Sequence, residues 1–93
     1  MAFLFINTDI SHNWNMSQED KFKIRHRVAY NVKKYRQLSG LNKEQLSLAI
    51  NMDNSYISKL EKEKVNATID VIESIARVCD ICVEYLFKSP EES

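Results

Sequence analysis

Apolar residues recur at helical spacing between residues 24 and 35. Ile24, Val28, Val32 and Tyr35 stand at i, i+4, i+8 and i+11, which is the pattern of one buried face of an α-helix. Ser17 followed by Asp20 resembles a capping box with Asp in place of Glu. Gly40 can adopt the left-handed conformation that ends a helix without a steric penalty. The pattern therefore predicts a long first helix that begins at Ser17 and stops at Ser39 and Gly40.

Two short helices are predicted to follow. Asn42 and Gln45 form a capping box, which predicts the start of a second helix over residues 43–50 with Leu46 and Ile50 in the core. Asn51 tolerates the left-handed conformation that can end that helix. The turn of residues 51–53 is so short that the second and third helices must cross steeply, as in a helix-turn-helix.

The third predicted helix spans residues 54–62. Asp53 is expected to cap it, and Met52 is expected to bury the corner before it. Ile57 and Leu60 are three residues apart, so they share the face that points to the core. The polar residues near the start of this helix are then left on its outer side.

The remaining chain predicts a fourth helix and a short fifth one. Residues 70–79 place five apolar side chains on one face, and residues 83–87 form the fifth helix. The apolar residues of the fourth helix are Val71, Ile72, Ile75, Ala76 and Cys79. The last segment has more apolar residues than one closing helix needs, so part of its surface is either ordinary core or a dimer interface.

The two ends of the chain are predicted to lie outside the helical domain of residues 17–88. Residues 1–16 are expected to form an extended arm, in which the apolar run of residues 2–6 is a strand or a contact segment and Trp14 is an anchor. Disorder is the alternative for this arm. Residues 89–93 are expected to be a polar tail. The apolar run is too short for a membrane span, so no membrane association is expected.

Composition limits the fold and the class of function. Only one Gly and one Pro occur in 93 residues, and no hairpin signal is present, which favours an all-α domain of five helices. A chain of this size has too little core to enclose a substrate, and it contains no phosphate-binding loop or nucleophile–base pair, so an enzyme is not expected. No cofactor and no small-molecule effector is evident.

Charge is unevenly distributed along this neutral chain. The net charge is −3 for residues 1–20, +7 for residues 21–64 and −4 for residues 65–93. A basic middle segment can present a positive surface to phosphates even though the whole chain is neutral. The charge pattern therefore favours nucleic acid as a partner, although solvated helix faces can produce part of the same imbalance.

Cys79 and Cys82 have the C-x-x-C spacing of a redox pair or half of a zinc site. A zinc site needs about four ligands, and only the distant His12 and His26 remain as candidates. We therefore expect reduced thiols and no metal, with Cys79 in the core and Cys82 near a helix start. This expectation matches a protein of the reducing cytoplasm.

The outer side of the predicted third helix carries residue types that read base pairs. Asn pairs bidentately with adenine, Ser donates or accepts, and Lys reaches guanine O6 and N7. The predicted base-reading residues are Asn54, Ser55, Ser58 and Lys59. Solvent-exposed polar residues are common on any helix, but the tight turn before this helix favours base reading.

Phosphate contacts are expected on both sides of the base-reading residues. Charged or hydrogen-bonding groups at helix ends fix the register of a protein on DNA without reading its sequence. The predicted phosphate-contacting residues are Lys43, Tyr56, Lys62, Lys64 and Asn66.

Residues 28–87 resemble the lambda-repressor-like (Cro or Xre type) helix-turn-helix family of transcriptional regulators. The matching segments are residues 32–36, Gly40-Leu41, Leu46, Met52, residues 55–61, Ile75-Ala76 and residues 85–87. The chain departs from the family pattern with Lys43 for Gln, Ser47 for Ala, Asn51 for Gly and Ala67 for Pro. Ser and Asn still fit sterically, and Lys43 turns a polar phosphate contact into a charged one. The resemblance also implies a structural ion pair between Arg36 and Glu61.

The expected function is therefore sequence-specific regulation of transcription. One recognition helix, residues 54–62, reads too few base pairs to find an operator, so we expect a homodimer on palindromic double-stranded DNA. The resemblance suggests a phage-type repressor or a restriction-modification controller. The alternative is a protein-interaction module or an antitoxin that uses the helix-turn-helix as a scaffold.

Overall fold

Four α-helices and a closing 3-10 helix make up residues 23–90, which are the residues that the computed structural model describes. The α-helices are α1 (Ile24–Leu38), α2 (Lys43–Ala49), α3 (Tyr56–Glu61) and α4 (Ile69–Cys79), and the 3-10 helix is Val83–Phe87. No strand occurs among these residues. The all-α class is confirmed, but the predicted fifth α-helix is a 3-10 helix.

Helix α1 begins later than the sequence pattern predicted. Lys23 precedes the helix with φ −84° and ψ 78°, which are not helical angles, so a continuous helix from Ser17 is wrong. Ile24 is 46% exposed and is not part of a buried stripe. It stands in the first turn of α1, where it lines an open apolar groove with Ile69 and Phe87. The predicted arm of residues 1–16, the cap at Ser17 and residues 91–93 lie outside the described residues.

The core is built around one completely buried apolar side chain from each element. These side chains are Val32, Leu46, Ile57, Ile75 and Leu86, all with no exposed surface. Val28, Ile50, Leu60, Ile72 and Cys79 surround them. Burial of side chains of this size contributes about 1.5–3 kcal/mol each relative to full exposure. The predicted core positions of the second, third and fourth helices are therefore confirmed, and Met52 is partly buried against them.

All four α-helices of residues 23–90 end in the same hydrogen-bonding motif. After α1, the amide of Leu41 bonds the carbonyl of Arg36 at 3.1 Å and the amide of Gly40 bonds the carbonyl of Gln37 at 3.0 Å. The left-handed residues at the four ends are Gly40 (φ 75°), Asn51 (φ 64°), Glu63 (φ 61°) and Asp80 (φ 58°). These paired bonds satisfy carbonyls that a helix end leaves without an intrahelical partner. The left-handed roles predicted for Gly40 and Asn51 are confirmed, and those of Glu63 and Asp80 were not predicted.

The 3-10 helix is held on α1 by polar side chains. The side-chain amide of the fully buried Asn31 donates to the carbonyls of Leu86 at 3.1 Å and Lys88 at 2.9 Å. The guanidinium of Arg27 donates to the carbonyl of Phe87 at 3.1 Å. Arg27 and Asn31 lie one helical turn apart on α1, and together they hold the 3-10 helix against α1. None of the helices between residues 23 and 90 is long and apolar enough to cross a membrane.

Candidate nucleic-acid interface

Helices α2 and α3 are joined by residues 50–55. Helix α2 is opened by the predicted capping box, in which Asn42 Oδ1 accepts from the amide of Gln45 at 2.7 Å and Gln45 Oε1 accepts from the amide of Asn42 at 2.8 Å. At its other end the amide of Met52 bonds the carbonyl of Ser47 at 2.9 Å. The capping box and the left-handed turn at Asn51 set the limits of α2.

Helix α3 begins at Tyr56, which is two residues later than predicted. Asn54 and Ser55 form a turn that leads into the helix. Asp53 Oδ1 accepts from the amide of Ser55 at 3.0 Å and from its hydroxyl at 2.9 Å. These two bonds hold the pKa of Asp53 below its usual value. Asp53 therefore stabilises the turn before α3, because its short side chain places the carboxylate where it accepts from the amide and the hydroxyl of Ser55.

Ser47 connects α2 to α3 in the interior. Its side chain has no exposed surface, and its hydroxyl donates to the carbonyl of Lys43 at 2.9 Å. The same oxygen accepts from the amide of Ile57 at 2.9 Å. Ile57 lies in the first turn of α3, where the amides have no intrahelical partner. The sequence showed only that Ser fits this position, because the helix that uses its hydroxyl lies ten residues further on.

Arg36 ties α1 to the end of α3. Its Nε is 2.8 Å from Glu61 Oε2 and its second terminal nitrogen is 3.2 Å from Oε1, with side-chain exposures of only 8% and 6%. The remaining terminal nitrogen donates to the carbonyl of Leu41 at 2.9 Å. A two-point pair of this kind fixes distance and orientation together. Arg36 and Glu61 thus hold the third helix against the first.

The four predicted base-reading residues lie along the turn and the first turns of α3. Asn54 and Lys59 are exposed, whereas Ser55 and Ser58 are half-buried. Asn54 and Ser55 stand in the turn rather than in the helix, which corrects the predicted boundary. The positive charge of Lys59 is a smaller contributor to the low pKa of Asp53, after the two bonds from Ser55. We call the surface formed by the four predicted base-reading residues the polar border of the helix-turn-helix. Ile57 and Leu60, on the other side of α3, are buried in the core.

The five predicted phosphate-contacting residues do not share one environment. Lys43, Lys62, Lys64 and Asn66 are exposed. Tyr56 is half-buried and packs against the core, and this burial raises the pKa of its phenol. Its ring therefore has a packing role in addition to any contact that its hydroxyl makes.

Two residues at the start of α1 approach the segment that follows α3. The guanidinium of Arg25 donates to Asn66 Oδ1, and His26 Nδ1 lies 2.9 Å from Glu63 Oε2. Arg25 adds a cation beside the predicted phosphate contacts at Lys64 and Asn66. Arg25 lies 41 residues from Asn66 and no local spacing pattern connects the two, so this contact is visible only in the structure.

The two cysteines occupy the predicted places. Cys79 is buried in the core and Cys82 is exposed just before the 3-10 helix, and both are free thiols. Burial raises the pKa of the Cys79 thiol, which makes it less reactive. Within residues 23–90, no group of three or more potential metal ligands is found.

The sequence of this chain is similar to a known protein family and to a known relative. A sequence model described as helix-turn-helix matches residues 32–86. A relative named as a hypothetical transcription factor from Neisseria meningitidis is 27% identical over 73 residues, which cover 78% of this chain and 69% of the relative. The segment that matches the helix-turn-helix model, residues 32–86, runs from the middle of α1 into the 3-10 helix. It therefore includes every contact between α2 and α3 described above.

Several solved structures are similar to the chain. The crystal structure of the hypothetical transcription factor NHTF from Neisseria has a TM-score of 0.73 and 26% identity, and it covers 77% of this chain and 83% of its own. The restriction-modification controller protein C.AhdI from Aeromonas hydrophila has a TM-score of 0.64 and 25% identity, with coverages of 68% and 96%. The clp gene regulator ClgR from Corynebacterium glutamicum shares the fold at 17% identity and a TM-score of 0.64, with coverages of 68% and 67%.

Proposed function

The chain belongs to the lambda-repressor-like (Cro/Xre-type) helix-turn-helix family of transcriptional regulators, and from this premise we propose that it binds a palindromic operator as a homodimer. The observation that carries the proposal is the exposed polar border made by the turn at Asn54 and the outer side of α3. A helix fits the major groove of B-DNA, which is about 12 Å wide. The proposal is that this border enters the groove.

Base reading is assigned to Asn54, Ser55, Ser58 and Lys59. Asn and Lys have the donors and acceptors that distinguish adenine and guanine from the other bases in the major groove. The buried bonds of Ser47 and Arg36 support the assignment, because they hold α3 rigidly against α2 and α1. A rigid support keeps these side chains at one depth and angle in the groove.

Phosphate binding is assigned to Lys43, Tyr56, Lys62, Lys64 and Asn66. Arg25 is added to this set because its guanidinium bonds Asn66 and so brings a second cation to that end of the surface. These groups lie on both sides of the base-reading residues, and all of them except Asn66 belong to the segment of residues 21–64, whose net charge is +7. Contacts to the phosphates on each side of a groove position the reading helix between them.

Dimerisation is assigned to the acidic, apolar end of the chain. Val78 is 37% exposed and Val83 is 41% exposed, and these side chains lie on α4 and the 3-10 helix. Residues 65–93 have a net charge of −4, which suits a surface that stays away from DNA. A two-fold dimer would present two α3 helices to half-sites about 34 Å apart.

The similarity to C.AhdI supports a controller of a restriction-modification system, and a phage-type repressor is the second form of the same proposal. Either form would act in the cytoplasm, where the reduced thiols of Cys79 and Cys82 are stable. Both forms bind DNA through the same surface, so one binding experiment tests them together.

The proposal is tested by measuring the affinity for a DNA duplex as the salt concentration is raised. Contacts to six or more phosphates predict that affinity falls by about 10³-fold or more between 50 and 200 mM salt. Asn54→Ala and Lys59→Ala should remove the preference for a selected site over a scrambled one. A weak salt dependence, together with unchanged preference in both variants, would contradict the proposal and favour a protein-interaction module.

A further inference from the structure

A carboxylate contacts one of the residues of the proposed reading surface. Glu44 is exposed in the first turn of α2, and its Oε2 accepts a hydrogen bond from Asn54 Nδ2 at 3.3 Å. An acidic side chain in this place repels the polyanion, so charge alone gives no reason for it. Its contact with Asn54 gives a reason that does not depend on attraction to DNA.

A carboxylate selects one of the two orientations of a side-chain amide. A carboxylate such as that of Glu44 only accepts hydrogen bonds, whereas the amide of Asn54 has a donating nitrogen and an accepting oxygen. The contact is favourable with Nδ2 toward Glu44 and unfavourable with Oδ1 in that place. Glu44 therefore fixes which edge of the amide faces away from α2.

The fixed orientation leaves Asn54 competent to recognise adenine. Nδ2 carries two hydrogens, and Glu44 uses one of them. The second hydrogen can be donated to adenine N7 while Oδ1 accepts from N6, which is the bidentate pairing of Asn with adenine. A freely rotating amide would have to be ordered when it binds, and this ordering opposes binding.

We infer that Glu44 is a positioning residue for base recognition, which sets the orientation of the Asn54 amide and so strengthens the preference for adenine at the base pair that Asn54 reads. The inference rests on the proposed function, because it requires Asn54 to contact a base. In this role Glu44 increases the preference for adenine, while its negative charge lowers the affinity for every DNA sequence.

Glu44→Gln is the variant that separates orientation from shape. Gln has the size of Glu, but its amide both donates and accepts, so it bonds Asn54 in either orientation. The variant also removes one negative charge from the surface. We expect affinity to rise for all duplexes, and we expect the preference for adenine at one base pair to fall by at least about threefold.

A double-mutant cycle with Asn54→Ala identifies the partner through which Glu44 acts. Dissociation constants are measured for the site selected from random DNA and for the four versions of the base pair whose preference Asn54→Ala removes. In the Asn54→Ala protein, Glu44→Gln should have no further effect on the preference at this base pair. Glu73→Gln, which removes an exposed carboxylate of α4 that pairs with Arg77 at 3.4 Å, is the matched control and should leave the preference unchanged.

Three outcomes would overturn the inference. If Glu44→Gln raises affinity but keeps the adenine preference, Glu44 acts only through its charge. If Glu44→Gln changes the preference at a different base pair, Glu44 reads a base itself, for example the N4 amino group of cytosine. If the unaltered protein prefers no sequence, both the inference and the proposed function fail, whereas the first two outcomes leave the proposed function intact.

Discussion

The hydroxyl oxygen of Ser47 accepts a hydrogen bond from the backbone amide of Ile57 at 2.9 Å, which joins the interior of α2 to the first turn of α3. The same hydroxyl donates to the carbonyl of Lys43, so its donor and one acceptor site are both used. Neither residue is exposed to solvent. The crossing of the two helices is thus fixed by a polar contact at its centre as well as by apolar packing.

Ser47→Ala should destabilise the protein by about 1–3 kcal/mol, because the buried amide of Ile57 loses its partner. Denaturant unfolding of both proteins measures the change. Ser74→Ala, at a half-buried position on α4, is the control and should change stability by no more than about 0.5 kcal/mol. An equally small change for Ser47→Ala would show that water or a backbone shift satisfies the amide.

Glu61→Ala should cost about 3–5 kcal/mol, because it leaves the buried guanidinium of Arg36 without its counter-ion. Arg36→Ala should have a cost of similar size. The double variant should lose much less than the sum of the two single losses, since removing both partners leaves no unpaired buried charge. Additive losses in denaturant unfolding would mean that the two side chains stabilise the fold independently.

Asn51→Gly should stabilise the fold. Asn51 has a φ of 64°, where a side chain is strained by about 1 kcal/mol or more and glycine is not. The gain is reduced because glycine loses more entropy on folding, so we expect a net increase of about 0.5 kcal/mol. Asn51→Ala, which keeps the strain and lacks the polar side chain, should lower the denaturation midpoint and serves as the opposite control.

Asp53 should make stability depend on pH in the acidic range. Its folded pKa is depressed by the hydroxyl and amide of Ser55, so its contribution is present above its ordinary pKa and is lost as the pH falls through the lower folded value. Asp53→Asn should therefore be less stable than the unaltered protein at pH 7, and the difference should shrink below about pH 4. A difference that stays constant from pH 7 to pH 2.5 would contradict the role of the carboxylate.

Lys64→Ala should weaken binding by a similar factor for every DNA sequence. A lysine that contacts phosphate carries no base information, and its removal should reduce the slope of log affinity against log salt by about one. Fluorescence anisotropy on a selected and a scrambled duplex gives both quantities. Lys88→Ala, on the acidic end of the chain, is the control, and an equal effect from both variants would contradict the assignment of phosphate contacts to the segment after α3.

The elements that local chemistry determines could be predicted from the sequence. The capping box at Asn42 and Gln45 and the left-handed residues at Gly40 and Asn51 are short-range features, and they lie where the pattern predicted them. The start of α1 could not be predicted, because the apolar spacing does not reveal that Lys23, just before Ile24, has non-helical angles. Periodicity also placed Ile24 in the core, although it lies in the exposed first turn of the helix.

Contacts between distant residues were found only in the structure. The contact of Glu44 with Asn54, the contact of Arg25 with Asn66 and the hydrogen bond between Ser47 and Ile57 join residues that no spacing rule connects. The start of α3 at Tyr56 has a local origin instead, since the carboxylate of Asp53 binds Ser55 and holds two residues in a turn. The residue types of the candidate site were readable in the sequence, but the interactions that orient them depend on the packing of three helices.

The central claim is tested most directly by selecting bound sequences from a random pool of DNA duplexes with the full chain. The account predicts enrichment of a palindrome with two half-sites whose centres are about 34 Å, or one helical turn, apart. Asn54→Ala and Lys59→Ala should lose the enrichment within each half-site and keep non-specific binding. A pool that shows no enriched sequence after selection with the unaltered protein would contradict the claim that this helix-turn-helix reads DNA.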